Sequence, residues 1–159
     1  MHIRPASSDE AEMLGDLACV SKAWWGYPAM QIDVWRDELS PSAASISAQP
    51  TFVAEVDGIA AGFYQLYLAD TDQGELKNLW VLPRFMRQGI GGALLSHAAA
   101  LAARANVAVL AINADPHAEP FYLSQGAARV GTEASPIPGQ PDRVLPQLLL
   151  RVAHQERVA

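Results

Sequence analysis

One stretch constrains this chain more than any other. It reads LWVLPRFMRQGIGGALL over residues 79–95: an apolar run ends at Pro83, three glycines follow, and a helical pattern opens at once. Gly89, Gly91 and Gly92 carry no Cβ, so the backbone there can come close to a ligand. Pro83 brings no N–H to a sheet ladder and marks the end of the strand. A helix leaves its first N–H groups unpaired and turns its positive dipole end toward the preceding loop. Strand, glycine loop and helix start, in that order, make a pyrophosphate site built mostly of backbone.

Two kinds of phosphate loop do not fit. A P-loop needs Lys and then Ser or Thr after its last glycine, whereas Gly92 is followed by Ala93 and Leu94. A dinucleotide fingerprint would run from Gly89 and Gly91 to a third glycine where Leu94 stands, and no short βαβ unit with an acidic residue about 20 positions on follows. The stretch instead resembles the acyl-coenzyme A loop of the GNAT family of N-acetyltransferases. That family's pattern is Gln or Arg, two residues, Gly, one residue, then Gly or Ala. It runs here through Met86, Arg87, Gln88, Gly89, Ile90 and Gly91, with Met86 departing from the first position. The departure leaves the backbone donors in place.

The order of elements along the chain agrees with this resemblance. Met1 to Pro5 reads as a first strand. Ser7 and Glu10 have capping-box spacing ahead of Met13, Leu14, Leu17 and Ala18, which share one helical face, so the pattern predicts an amphipathic helix over 8–22. Gly26 and Pro28 break it, and residues 30–39 suit a second helix that stops before Pro41. Thr51–Val56 and Ile59–Leu68 flank Asp57-Gly58, a strong hairpin signal. A strand from Gln73 or Gly74 leads through ELKNLWV into the glycine loop, and a helix over 89–104 carries Ile90, Ala93, Leu94, Ala98 and Leu101 on one side. Asn106 to Ile112 is a nearly continuous apolar run that suits a buried parallel strand. A short helix over 118–125, closed by Gly126, and two last strands at 127–132 and 146–152 complete the series. The resemblance therefore implies an α/β chain with the N-acyltransferase fold: a mixed, mostly antiparallel seven-stranded sheet flanked by about four helices. It covers nearly the whole chain, most strongly from Glu75 to Ala127, and treats residues 1–159 as a single domain.

Composition narrows the function. Half the residues are apolar and 18% are charged, which suits a globular rather than a disordered chain. A net charge of −6 with only Lys22 and Lys77 as lysines argues against a nucleic-acid partner and is compatible with a cationic amine substrate. The single Cys19 excludes an intrachain disulfide and fits a reducing cytoplasm. No apolar signal segment follows the N-terminus, and the Ala-rich run Ile90–Ala103 is too short to span a bilayer, so no membrane association is expected. His2, His97, His117 and His154 show no metal-ligand spacing, and no metal is inferred. His117 either faces the site or is a surface residue at a helix start.

Acyl transfer to an amine requires a held acyl donor, a deprotonated amine, a stabilised oxyanion and a proton for the leaving thiolate. By resemblance, the backbone of Arg87, Gln88, Gly89, Ile90, Gly91 and Gly92 holds the pyrophosphate of acetyl-CoA. The backbone of Leu79, Trp80 and Val81 pairs with the pantetheine arm as an added strand would. Arg84 and Arg87 either add charge to the phosphates or are solvated loop residues. Tyr122 stands four residues before Gly126, where the family places its leaving-group acid; the other reading of this Tyr beside Phe121 is core packing. Asp115, seven residues before Tyr122, replaces the family's usual Asn among the cofactor contacts. Glu75, six residues before Val81, occupies the place of a catalytic base, or is a surface Glu paired with Lys77. Its ordinary pKa of about 4.3 would require burial or an intervening water to deprotonate an ammonium. The N–H of Leu79 would meet the oxyanion. Trp24, Trp25 and Tyr27 either line the acceptor pocket or cap the core beneath a long connection.

These expectations amount to an acetyl-CoA-dependent N-acetyltransferase acting on a small-molecule or amino-acid-like primary amine by direct transfer in a ternary complex. Family members are often dimers, so a homodimer is a possible assembly. Two other classes remain open: a non-catalytic acyl-CoA-binding module, and a protein N-terminal or lysine acetyltransferase.

Overall fold

The computed structural model describes residues 1–152. Among them lie seven strands and five α-helices, with the strands in the sheet order β1-β2-β3-β4-β5-β7-β6. The chain divides into two compact units, one made of Met1–Tyr67 and Lys77–Ala98, the other of Leu68–Leu76 and the chain from Ala99 onward.

In the first unit, β1 (His2–Pro5) pairs antiparallel with β2 (Thr51–Val56), which pairs antiparallel with β3 (Ile59–Tyr67). The turn between β2 and β3 places Asp57 at φ 52° and Gly58 at φ 78°. Two successive positive φ values match the right-handed strand twist, which is why Asp-Gly suits this position. Val53, Phe63, Tyr64 and Leu66 are fully enclosed, and α1 (Ala11–Ala23) presents buried Leu14, Leu17 and Ala18, three members of its predicted face. The helix begins later than residue 8 because Ser8–Glu10 form a tighter 3-10 turn; the Ser7 N–H donates to the Glu10 carboxylate at 2.8 Å. α2 (Ala29–Leu39) matches its expected span closely.

A helix that the sequence pattern did not suggest, α3 (Ala43–Ala48), follows. Its N-terminus is closed by two serines: Ser45 N–H donates to Ser42 Oγ and Ser42 N–H to Ser45 Oγ, both at 3.0 Å. Ser replaces the Glu or Gln of the usual signature, and six residues with one buried apolar side chain, Ile46, leave no periodicity to detect.

β4 (Gln73–Val81) runs through both units. In the second unit, Gln73, Gly74 and Glu75 pair in parallel with Val109, Leu110 and Ala111 of β5 (Val109–Asn113). The expected parallel strand is therefore present, but it starts at 109 rather than 106. Asn106, at φ 63°, closes α4 (Ile90–Arg104), and the next N–H, that of Val107, donates back to Ala102 O at 3.0 Å. Residues that looked like the strand's start thus satisfy the helix's end. β7 (Val144–Arg151) pairs antiparallel with β5 and with β6 (Ala128–Ala134). α5 (Glu119–Ser124) ends as expected at Gly126, which has φ 97°.

Arg4 ties the first strand to its neighbours, donating to Glu10 twice at 2.8 Å and to Glu55 at 2.6 Å. The Arg4 hydrogen bonds hold the Glu10 carboxyl below its ordinary value. A lowered carboxyl contributes stability that is present above its unfolded pKa, about 4.3 for Glu, and is lost as pH falls through the folded value. Glu10→Gln should therefore flatten the fall in melting temperature between about pH 5 and about pH 3, the window in which a paired carboxylate takes up its proton. Thermal unfolding of both proteins across that range tests this.

Candidate functional site

The sequence between β4 and α4 folds as a compact loop. Pro83–Phe85 form a 3-10 turn, Met86 is extended, Arg87 turns left-handed at φ 61°, and Gly89 does so again at φ 81°. Arg87, Gln88 and Gly89 are exposed. The Gln88 amide donates to Arg84 O at 3.2 Å and braces the loop across its base. The first α4 hydrogen bond runs from Ala93 N to Gly89 O at 3.0 Å. Ile90, Gly91 and Gly92 thus supply the first-turn N–H groups, which in any helix lack a carbonyl one turn back. Left-handed residues just before a helix start bring successive N–H groups to a concave surface suited to an anion. Arg87 meets a strain that glycine avoids, a cost of about 1–3 kcal/mol for such conformations.

The end of β4 is held by contacts from α1 and from β3. Ser21 Oγ of α1 donates to Val81 O at 2.8 Å, and Leu82 N–H donates to Ala61 O of β3 at 2.8 Å. A Cβ at Gly62 would lie 2.6 Å from Trp80 O, so only glycine lets the two strands approach as they do.

Side chains complete the arrangement. Asn78, Trp80 and Leu76 share a face of β4, and the Trp80 indole N–H donates to Asn78 Oδ1 at 3.2 Å. Asn78 donates to Gln65 Oε1 at 3.2 Å, and Gln65 in turn donates to Ser45 Oγ at 3.0 Å and Thr51 Oγ1 at 3.2 Å. Gln65 is completely buried and Asn78 and Thr51 nearly so. A ring cluster surrounds Lys22: its Nζ lies 4.7 Å from the centroid of Trp35, 5.3 Å from Tyr27 and 5.8 Å from Trp80. Tyr27 meets Trp35 edge-on at 4.9 Å and is buried. Trp24 meets Trp25 edge-on at 4.8 Å and is 53% exposed.

Among the residues singled out from sequence, the first unit therefore brings together Leu79, Trp80 and Val81, the loop from Arg87 to Gly92, and Tyr27, which joins Trp80 around Lys22. Trp24 and Trp25 meet each other edge-on. Trp35, Gln65, Asn78 and Ser21 escaped the sequence reading. Asn78 and Gln65 carried a signal, since each is a polar residue within an apolar strand. Trp35 and Ser21 gave none.

Glu75, Asp115 and Tyr122 belong to the second unit. Glu75 is half-buried and stands opposite Ala111 at the end of the described β4–β5 ladder. Tyr122 is buried in α5, and burial raises its phenol above the ordinary tyrosine value. Asp115 caps the 3-10 turn Pro116–Ala118, accepting the His117 N–H at 2.8 Å. The same oxygen lies 2.8 Å from His117 Nδ1, and its other oxygen 3.5 Å from Arg143 Nη2. Arg143, from the loop before β7, also escaped the sequence reading, because nothing in a Pro- and Gly-rich segment marks one Arg as buried. No group of three or more His, Cys, Asp or Glu side chains disposed to hold a metal occurs among the described residues, and no helix there is long and apolar enough to cross a membrane. His154 lies outside them.

Residues 47–126 match the acetyltransferase (GNAT) domain. No curated protein sequence matches the chain. Solved structures with the same fold include the PaiA N-acetyltransferase of Thermoplasma acidophilum in complex with coenzyme A, with TM-score 0.76, 20% identity, and coverage of 94% of this chain and 98% of that one. The ribosomal-protein-S18-alanine N-acetyltransferase of Escherichia coli is similar at TM-score 0.73 and 17% identity, over 99% of this chain and 97% of that one. A GCN5-related N-acetyltransferase from Rhodopseudomonas palustris is similar at TM-score 0.75 and 20% identity, over 94% of each chain. Fold, loop and domain match together define an acetyltransferase-type protein. The chain belongs to the GNAT family.

The closeness of β3 to β4 makes a direct prediction. Gly62→Ala forces the Trp80 carbonyl, a backbone atom rather than a yielding side-chain tip, out of place. It should destabilise the protein by about 1–3 kcal/mol, as overpacking does elsewhere. Urea unfolding of the variant beside the parent measures it.

Proposed function

We propose that this protein is an acetyl-CoA-dependent N-acetyltransferase that acylates the primary amine of a small, amino-acid-like molecule by direct transfer in a ternary complex. The observation that carries the reading is the exposed left-handed loop at Arg87 and Gly89 leading into α4, within a chain of the GNAT family. A pyrophosphate matches such a cradle in charge and needs only backbone donors. The coenzyme A complex of the PaiA relative supports the same ligand here. The match over residues 47–126 runs through parts of both compact units and supports reading the chain as one functional domain.

In this reading the loop from Arg87 to Gly92 holds the pyrophosphate, and Leu79, Trp80 and Val81 offer backbone to the pantetheine arm. The Leu79 N–H meets the oxyanion. Bound acetyl-CoA supplies an activated acyl group; the chain supplies orientation and proton movement. Tyr122 returns a proton to the leaving thiolate. Burial keeps it a neutral phenol but also weakens it as an acid. Its proton therefore has to leave as another arrives from the nitrogen of the tetrahedral adduct, so that no buried tyrosinate accumulates. One further proton must leave the acceptor ammonium before attack, and Glu75 is one candidate to receive it.

Direct transfer is favoured over an acyl-cysteine because Cys19, the only cysteine, is buried in α1 and burial pushes its thiol up. A lone buried thiol also suits a cytoplasmic protein. Trp24 and Trp25, one of them well exposed, favour a small acceptor with an apolar part over an extended peptide.

Calorimetric titration with acetyl-CoA should show micromolar binding, on the order of −8 kcal/mol, and Gly91→Trp should abolish it while circular dichroism stays unchanged. Tyr122→Phe should bind acetyl-CoA normally and lower kcat by about 100-fold, the lower end of the general-acid range. A fully active Tyr122→Phe enzyme excludes the acid role.

A further inference from the structure

We infer that the Arg87 side chain selects the acyl donor by the phosphate on its ribose, a contact separate from the backbone proposed to hold the pyrophosphate. The inference rests on the acetyl-CoA reading and deepens it, since acetyl-CoA carries a phosphate monoester on its ribose as well as a pyrophosphate.

The first observation is where the backbone is strained. Among the described residues, three other than glycine are left-handed: Asp57 at φ 52°, Arg87 at φ 61° and Asn106 at φ 63°. Asp and Asn tolerate this conformation better than other side chains do. Each also has a local reason for it, since Asp57 opens the β2–β3 turn and Asn106 closes α4. Neither reason applies to Arg87, and a glycine there would take the same φ at no steric cost. An outlier of this kind points to a functional side chain.

The second observation is how little the fold asks of that side chain. Arg87 is exposed, and no hydrogen bond, ion pair or ring contact engages its guanidinium among the described residues. Arg4, Arg36, Arg129 and Arg143 each meet a carboxylate. Arg104 and Arg151 meet none there, but they belong to a regular helix and a regular strand. Arg84, on the same loop, lies 4.8 Å from the Phe85 ring centroid, and its carbonyl accepts from the Gln88 amide. Arg87 thus combines a strained backbone with an uncommitted charge.

The third observation is the run of charge along the chain. No Asp or Glu occurs between Glu75 and Asp115, whereas Lys77, Arg84, Arg87 and Arg104 all fall there, in a chain of net charge −6. A loop without acidic neighbours in sequence is the place where so acidic a chain can receive a polyanion. The backbone N–H groups at the start of α4 are a fixed set and suit one pyrophosphate. A further phosphate needs a donor outside that set. A guanidinium stays charged at any working pH, and its planar fork matches two phosphate oxygens at once. Arg87 stands immediately before Gln88 and Gly89, at the entry to the backbone donors, so a long exposed side chain there can meet a second group on the same nucleotide.

The test is calorimetry on the whole 159-residue chain with acetyl-CoA and with acetyl-dephospho-CoA, which lacks only the ribose phosphate. The parent should bind acetyl-CoA at least about tenfold more tightly, the scale of one charged contact. Arg87→Asn removes the charge and keeps a residue that accepts the left-handed turn. It should weaken acetyl-CoA about tenfold, leave acetyl-dephospho-CoA unchanged, and so abolish the preference. Arg87→Gly should abolish it too while melting at the parent's temperature or above, which a purely structural role would not allow. Arg84→Ala should keep the preference. A parent that binds both donors equally, or a folded Arg87→Asn that still prefers acetyl-CoA, overturns the inference and leaves the acyl-CoA reading standing. So does an Arg84→Ala protein that loses the preference as fully, or an Arg87→Gly protein that melts well below the parent. A folded parent that binds neither donor removes the cofactor reading and this inference with it.

Discussion

A buried backbone carbonyl or N–H must find a partner, and β4 meets that requirement in a different way at each end. Toward its start the strand is paired through Glu75 in a regular parallel ladder with β5. Toward its finish, the Val81 carbonyl is satisfied by a serine hydroxyl from α1. The side chains there are tied sideways, through Trp80 and Asn78, into Gln65 on β3. The strand that carries the proposed oxyanion and pantetheine contacts is therefore held by side-chain hydrogen bonds in addition to its place between β3 and β5 in the sheet. Such a polar chain is stable only when complete, since an orphaned buried amide costs about 1–3 kcal/mol. Gln65, with no exposed surface, engages both ends of its amide within this chain.

The Lys22 cluster fastens the same strand from the side of α1 and α2. Lys22 is 8% exposed, so the residue as a whole has lost most of its contact with water. Contacts with aromatic faces return part of that loss, about 2 kcal/mol or more where the cation is desolvated. Tyr27 follows the break at Gly26, Trp35 lies on α2 and Trp80 on β4, so one cation gathers three separate segments. The loop from Trp24 to Pro28 is thereby anchored at Tyr27 while its two tryptophans remain nearer the surface.

What the sequence made legible follows from how local each signal is. The Asp57-Gly58 turn, the break at Gly26 and Pro28, and the glycine loop depend on backbone preferences of one or two residues, and all three stand where expected. Asn106 was misread because its left-handed preference at a helix end competes with an apolar run that looks like a strand. α3 was missed because two serines close its N-terminus without a charged partner. The pairs that matter most around the candidate site are long-range: Ser21 with Val81, Gln65 with Asn78, Arg143 with Asp115. No periodicity encodes a partner 60 residues away, as Ser21 and Val81 are. The polar residues inside β3 and β4 were visible as exceptions, but their partners were not.

The placement of the lysines has a chemical consequence of its own. Thioesters acylate exposed amines without any catalyst, so a protein that keeps acetyl-CoA close risks marking itself. This chain contains only Lys22 and Lys77, and the rings around Lys22 enclose one of the two. Lys77, which is exposed, is then the lysine left open to such marking. An amine-reactive dye would report the same asymmetry, attaching at Lys77 while the native fold shields Lys22.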